Sequence, residues 1–147
     1  MTKNLGKVGL GGTCHWCMEG VFQAIKGVVK VEQGWIRSIK PFDDFSEAII
    51  VFYDNEIINL KQIIEIHLAT HSSTVNHSFR KKYRSAIYHL IEDEDKKIQR
   101  IIDKISIEQQ KNFITQVLIL NDFKMNEEKY LNYYISNSEK PYCKRYI

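Results

Sequence analysis

A short apolar run that ends in two glycines constrains the fold more than any other feature of the sequence. Residues 8–12 predict a strand that runs into a tight turn, and residues 14–26 predict a helix directly after it. Apolar residues recur in that helix at i, i+3, i+4 and i+7, which predicts one buried face: Met18, Val21, Phe22 and Ile25. Residue 14 is therefore expected at a strand-to-helix junction.

Similar patterns continue along the chain. Segments rich in β-branched and aromatic residues predict four further strands, over residues 28–35, 48–53, 85–91 and 115–120. Helices are predicted after a cap at Asn59 with Gln62 at its third position, after the acidic run 92–95, and over residues 126–134. Because strands and helices do not alternate strictly, we expect an α+β two-layer sandwich, a mixed sheet with helices packed on a ferredoxin-like core.

Length and charge narrow the class of protein. The 147 residues show no linker or repeat, so residues 1–147 are expected to form a single domain. With 21 Lys and Arg against 18 Asp and Glu, the net charge of +3 gives no reason to expect nucleic-acid or membrane binding. The densest basic run, residues 80–84, is expected to be a solvated loop. No signal peptide is visible, and we expect a cytoplasmic monomer.

Three cysteines are the candidate reactive groups: Cys14, Cys17 and Cys143. An odd number of cysteines without a signal peptide does not suggest a structural disulfide framework. At the start of a helix, unpaired backbone N–H groups and the helix dipole favour the thiolate of Cys14 over its thiol. Cys17 lies three residues on, on the same helical face and within disulfide reach.

Three other interpretations of the Cys-x-x-Cys pair remain open. The cysteines could be buried core residues, as unreactive Cys often is. They could form half of a zinc site, although the sequence has no second such pair and His71 and His77 stand alone in one segment. They could be a thioredoxin-like dithiol, although neither Pro41 nor Pro141 is placed to face it. We expect no metal and no other cofactor.

The segment around Cys14 resembles a known family. Residues 11–17 read Gly-Gly-Thr-Cys-His-Trp-Cys, and residues 19–28 continue with Glu-x-x-Phe and Lys-Gly-Val. This is similar to the signature of the methionine sulfoxide reductase A family, which has Gly-Cys-Phe-Trp at the first position. Weaker matches follow in order along most of the chain, at residues 31–35, 46–48, 71–74, 83–87, 128–130 and 141–143.

The resemblance implies an enzyme of protein repair under oxidative stress. Cys14 would attack the sulfur of the S-epimer of methionine sulfoxide, free or in peptides. Glu47 matches the buried acid that protonates the sulfoxide oxygen, and Tyr83 matches a tyrosine that hydrogen-bonds it. Trp16, with His15 beside it, matches the pocket that binds the substrate methyl group.

The resemblance also implies how the enzyme is recycled. Cys14 is left as a sulfenic acid when methionine departs. A second thiol, Cys17 or Cys143, would close a disulfide, and thioredoxin or a similar dithiol would reopen it. The small loop between Cys14 and Cys17 favours Cys17.

The sequence departs from the family at the substrate pocket. His15 replaces the family's Phe, so we expect His15→Phe to raise activity by making the pocket more apolar. The family's second oxygen-binding tyrosine has no match, and Phe42 or Phe45 could fill its space without the hydroxyl. Two alternatives to the reductase therefore stay open: a redox-sensing or sulfoxide-binding homologue with weak turnover, and a thioredoxin-like thiol-disulfide oxidoreductase.

Overall fold

The structure, a computed structural model, describes residues 5–70, 83–91 and 93–126. Six strands and three helices occur in these ranges. The strands are β1 (Leu5–Gly11), β2 (Val28–Arg37), β3 (Ser46–Asp54), β4 (Ala86–His89), β5 (Gln116–Ile119) and β6 (Asp122–Met125). The helices are α1 (His15–Gln23), α2 (Leu60–Ala69) and α3 (Glu94–Gln109).

The strands form one mixed sheet in the order β5-β4-β1-β3-β2-β6. The β4–β5 pair is parallel and the other pairs are antiparallel. All three helices share one core with the sheet face that carries Val8, Leu10 and Ile49. A smaller apolar cluster around Ile36 and Tyr88 lies apart from that core. The predicted α+β class and mixed sheet are confirmed.

Local sequence signals explain where α2 and α1 begin. The Asn59 side chain accepts the backbone N–H of Gln62 at 2.8 Å, and the Gln62 side chain accepts that of Asn59 at 3.0 Å. This reciprocal pair is the predicted capping box at the start of α2. Before α1, Gly12 has φ +150°, a conformation that residues with a Cβ rarely adopt. The Gly-Gly turn between β1 and α1 therefore depends on glycine.

The prediction missed β6, and it was wrong about part of the basic run. Residues 80–82 lie outside the described residues, but Tyr83 and Arg84 are only 2% and 8% exposed, so they are not solvated. The guanidinium of Arg84 is held by the Asp44 carbonyl at 2.9 Å and the Tyr88 hydroxyl at 3.2 Å. These acceptors compensate the burial of its charge. A helix was predicted over 126–134, and its residues 127–134 lie outside the described residues.

No helix in the described ranges is long and apolar enough to cross a membrane.

Candidate active site

Cys14 caps the N-terminus of α1. Its carbonyl accepts the N–H of Met18 at 3.0 Å, the first hydrogen bond of the helix, while its own backbone stays extended with φ −55° and ψ 125°. The residue is almost completely buried. On the strand side of the turn, a Cβ on Gly11 would come within 2.9 Å of the Arg84 carbonyl. The missing side chain allows the segment that holds Tyr83 and Arg84 to approach the turn closely.

Four of the residues predicted for the site meet in one cluster. Cys14, Cys17 and Tyr83 are buried against one another, and Trp16 packs on them half-buried. Both cysteines are thiols rather than partners in a disulfide. Cys143 lies outside the described residues. Within the described ranges, no group of three or more His, Cys, Asp or Glu is arranged to hold a metal ion.

Tyr83 reaches the cluster because the next residue is anchored to β3. The backbone N–H of Arg84 donates to the Ser46 hydroxyl at 2.7 Å, and its side chain donates to Tyr88. Burial raises the pKa of the Tyr88 phenol, although the charge of Arg84 opposes this, so the phenol stays protonated and accepts from the guanidinium. Ser46 precedes Glu47, and the same anchor therefore brings Tyr83 to the end of β3 that carries the predicted acid.

Glu47 lies beside His15, the residue that follows Cys14. It is 6% exposed and pairs across the sheet with Trp35 of β2. Its Oε1 accepts the backbone N–H of His15 at 3.2 Å, which is one of the N–H groups that the first turn of α1 leaves without a helical acceptor. Two consecutive residues at the start of α1, Cys14 and His15, thus connect the proposed nucleophile to the carboxyl of Glu47.

The ring of His15 is buried in a polar network. Its Nδ1 is 2.7 Å from the Gly34 carbonyl, and its Nε2 is 3.3 Å from the Asn126 side-chain nitrogen and 3.5 Å from Glu47 Oε1. It also lies edge-on to Trp35, with ring centroids 5.1 Å apart. The structure thus gives this ring several hydrogen-bonding contacts that an apolar ring could not make.

Three buried residues that the sequence analysis did not select extend this network. Gln33 Nε2 donates to Glu19 Oε1 at 2.8 Å, and Asn126 Nδ2 donates to Gln33 Oε1 at 2.8 Å. In the sequence, Glu19 appeared only as part of the Glu-x-x-Phe motif. The structure buries its carboxylate, and a buried carboxylate needs a hydrogen-bonding partner. Gln33 lay in the matched block 31–35 and Asn126 began a predicted helix, but nothing in the sequence indicated their contact, because they meet only when β6 pairs with β2.

The remaining candidates have contacts of other kinds. Phe42 lies under the guanidinium of Arg84 at 5.6 Å, and Phe45 lies under that of Arg37 at 5.0 Å. Both rings therefore contact arginines.

The fold agrees with comparisons against known proteins. A family model described as peptide methionine sulfoxide reductase matches residues 6–147. The chain belongs to this family. A peptide methionine sulfoxide reductase MsrA of Trichodesmium erythraeum is 30% identical over 155 residues, covering 95% of this chain and 88% of the relative.

Solved structures that match this chain have the same fold. Mxr1 from Saccharomyces cerevisiae in its reduced form is 18% identical with a TM-score of 0.83, and the match covers 97% of this chain and 91% of that one. Mxr1 in complex with Trx2 is 17% identical with a TM-score of 0.68, and covers 90% and 89% of the two chains. At these identities the likeness establishes the α+β fold and not the roles of individual residues.

Proposed function

We propose that this chain reduces the S-epimer of methionine sulfoxide, free or in peptides, to methionine, with Cys14 as nucleophile. The observation that carries the proposal is the start of α1. There a buried cysteine forms the N-cap, and the next backbone N–H donates to the buried carboxyl of Glu47. Reduction of a sulfoxide needs a nucleophile for the sulfur and an acid for the oxygen, and this helix end presents both.

In the proposed reaction, the Cys14 thiolate attacks the substrate sulfur and Glu47 gives its proton to the oxygen. The sulfur–oxygen bond breaks, the oxygen passes to Cys14, and the products are methionine and a cysteine sulfenic acid. The thiolate is oxidised and the sulfoxide is reduced, with one proton consumed. Tyr83, buried beside both cysteines, is assigned to hydrogen-bond the oxygen. Trp16 is assigned to contact the substrate methyl group.

Recycling restores the thiol. We assign Cys17 as the resolving residue, because it lies in the same buried cluster as Cys14. Its thiol would displace water from the sulfenic acid and leave a disulfide. Cys143 is the alternative resolving thiol. The complex of Mxr1 with Trx2 supports a thioredoxin-like dithiol as the reductant that reopens the disulfide. The thiols of Cys14 and Cys17, both outside a disulfide, fit a reducing compartment, and we infer a cytoplasmic protein.

One observation favours a second candidate, a sulfoxide-binding or redox-sensing protein with weak turnover. The aromatic rings closest in sequence to the missing second tyrosine contact Arg37 and Arg84, and neither ring carries a hydroxyl. A site with one fewer oxygen ligand would stabilise the transition state less well.

One assay separates these functions and the thioredoxin-like alternative. The purified chain is mixed with each epimer of methionine sulfoxide and dithiothreitol, and methionine is measured over time. Repeated turnover of the S-epimer is expected for the reductase. A single stoichiometric burst would indicate the sensor, and reduction of insulin without methionine formation would indicate a general thiol-disulfide oxidoreductase.

A further inference from the structure

A buried histidine contacts the proposed acid. His15 Nε2 is 3.5 Å from Glu47 Oε1, and the two side chains are 2% and 7% exposed. The backbone N–H of His15 donates to the same carboxyl oxygen at 3.2 Å. Since an isolated buried charge is costly, the protonation of each group depends on the other.

The amide chain behind the ring fixes the orientation of Asn126. Glu19 Oε1 accepts from Gln33 Nε2 at 2.8 Å, which turns Gln33 Oε1 toward Asn126. That oxygen accepts from Asn126 Nδ2 at 2.8 Å. The group that Asn126 presents to His15, 3.3 Å from Nε2, is therefore an NH₂ and not a carbonyl.

These contacts determine the tautomer of the imidazole. The Gly34 carbonyl can only accept, so Nδ1, 2.7 Å away, carries a hydrogen. The NH₂ of Asn126 can only donate, so Nε2, which faces both this NH₂ and Glu47 Oε1, carries no hydrogen in the neutral ring. In this state, an ionised Glu47 would place a carboxylate lone pair against the lone pair of Nε2. One proton between Oε1 and Nε2 removes that repulsion.

We infer that His15 is a positioning residue that shares one proton with Glu47 and thereby extends to higher pH the range over which this acid can donate. The inference rests on the proposed function. Once Glu47 has protonated the sulfoxide oxygen, the pair takes one proton from solvent, held by Oε1 against Nε2, and is ready again. Among the described residues, the titratable groups that face this network are Glu47 on β3 and Glu19 at the far end of the amide chain, and Cys14 precedes His15 in the chain.

The test is the pH dependence of a single turnover without reductant. The rate of methionine formation is measured between about pH 6 and about pH 8, where histidines commonly titrate, for the parent, His15→Gln and His89→Gln. Glutamine keeps a polar side chain but does not titrate in this interval, so it cannot hold a proton for the acid. His89→Gln is the matched control, because that ring also bonds a backbone carbonyl, Ile91, but lies on β4.

His15→Gln should lose about tenfold more of its rate across this interval than either the parent or His89→Gln. A shift of one pH unit in the alkaline limb has that effect. Alkylation of Cys14 over the same interval separates the thiolate from the acid. Equal pH profiles in the three proteins would overturn the inference. A profile change that matches a change in Cys14 alkylation would also overturn it, since His15 would then act on the thiolate.

Nitrogen NMR of the histidine rings tests the pair without requiring activity or a folded His15 variant. In Glu47→Gln the carboxylate is gone, so His15 should gain its second proton at lower pH than in the parent. An unchanged titration would overturn the inference. A parent that forms no methionine but shows this shift would retain the pair and refute only the proposed function.

Discussion

Two consecutive residues, Cys14 and His15, connect the nucleophile to the acid. Cys14→Ser should abolish methionine formation while the fold survives, because serine is similar in size but is a far weaker nucleophile. Cys17→Ser is the matched control from the same buried cluster. It should still release one methionine per chain and then stop in the absence of a small thiol. Substantial activity in Cys14→Ser would refute its assignment.

Glu47→Gln should slow the single-turnover rate by roughly 10²–10⁴-fold, the usual effect of losing a general acid. Glutamine keeps the shape and the acceptor for the His15 N–H, but it cannot deliver a proton. Glu32→Gln on the neighbouring strand, where Glu32 pairs with Lys30, is the control and should leave the rate unchanged. A Glu47→Gln rate within about twofold of the parent, far below that range, would show that another group protonates the oxygen.

Residue patterns selected Cys14, the family resemblance added Glu47 and Tyr83, and the structure brings the three to one end of the sheet. The structure argues against the increase in activity that the sequence led us to expect for His15→Phe. That expectation assumed a ring that serves only the substrate pocket, whereas the ring hydrogen-bonds the Gly34 carbonyl and the Asn126 amide. We now expect a loss, since phenylalanine would leave these buried groups without that partner. Such long-range contacts, up to 111 residues apart, have no signature in the local sequence.

At the scale of the element, β6 completes the site by bringing Asn126 to His15. This strand was not predicted because its four residues are polar or exposed except for Phe123. Its pairing partner, β2, is also far away in the sequence. By contrast, the capping box of α2 was predicted because both of its partners, Asn59 and Gln62, lie within one helical turn.

Gly34→Ala should separate β6 from β2. A Cβ there would meet the Lys124 carbonyl at 2.0 Å, and backbone must move to relieve it. Overpacking of this kind costs roughly 1–3 kcal/mol in the free energy of unfolding. We expect that loss together with a slower single turnover, because Asn126 would leave His15.

Asn59→Ala is the matched control for Gly34→Ala. Loss of the α2 cap costs about 0.5–2 kcal/mol in the free energy of unfolding, a similar amount, without moving β6. Urea unfolding would measure both stabilities, and the single turnover would be compared under conditions in which both variants are folded. An equal effect of the two variants on the rate would show that β6 has no specific role.

At the scale of the whole molecule, Tyr53 links stability to alkaline pH. Burial, and secondarily the charge of Glu94, raises the pKa of Tyr53 from 10.0 to about 12. The folded protein therefore holds this proton where the unfolded chain has lost it. The resulting stability is complete below about pH 10 and disappears as the pH rises toward about 12. The free energy of unfolding should fall over that interval, and fall less steeply in Tyr53→Phe. If the free energy of unfolding fell equally steeply with pH in both proteins, Tyr53 would not be the group responsible.

The most direct test of the central claim is a mass map of the chain after one turnover on the S-epimer without reductant. The proposed reaction predicts one methionine per chain and a Cys14–Cys17 disulfide, formed when Cys17 displaces water from the sulfenic acid on Cys14. A disulfide from Cys14 to Cys143 would change the resolving residue but keep the nucleophile. Methionine formed while Cys14 remains an unmodified thiol, or no methionine at all, would contradict the account.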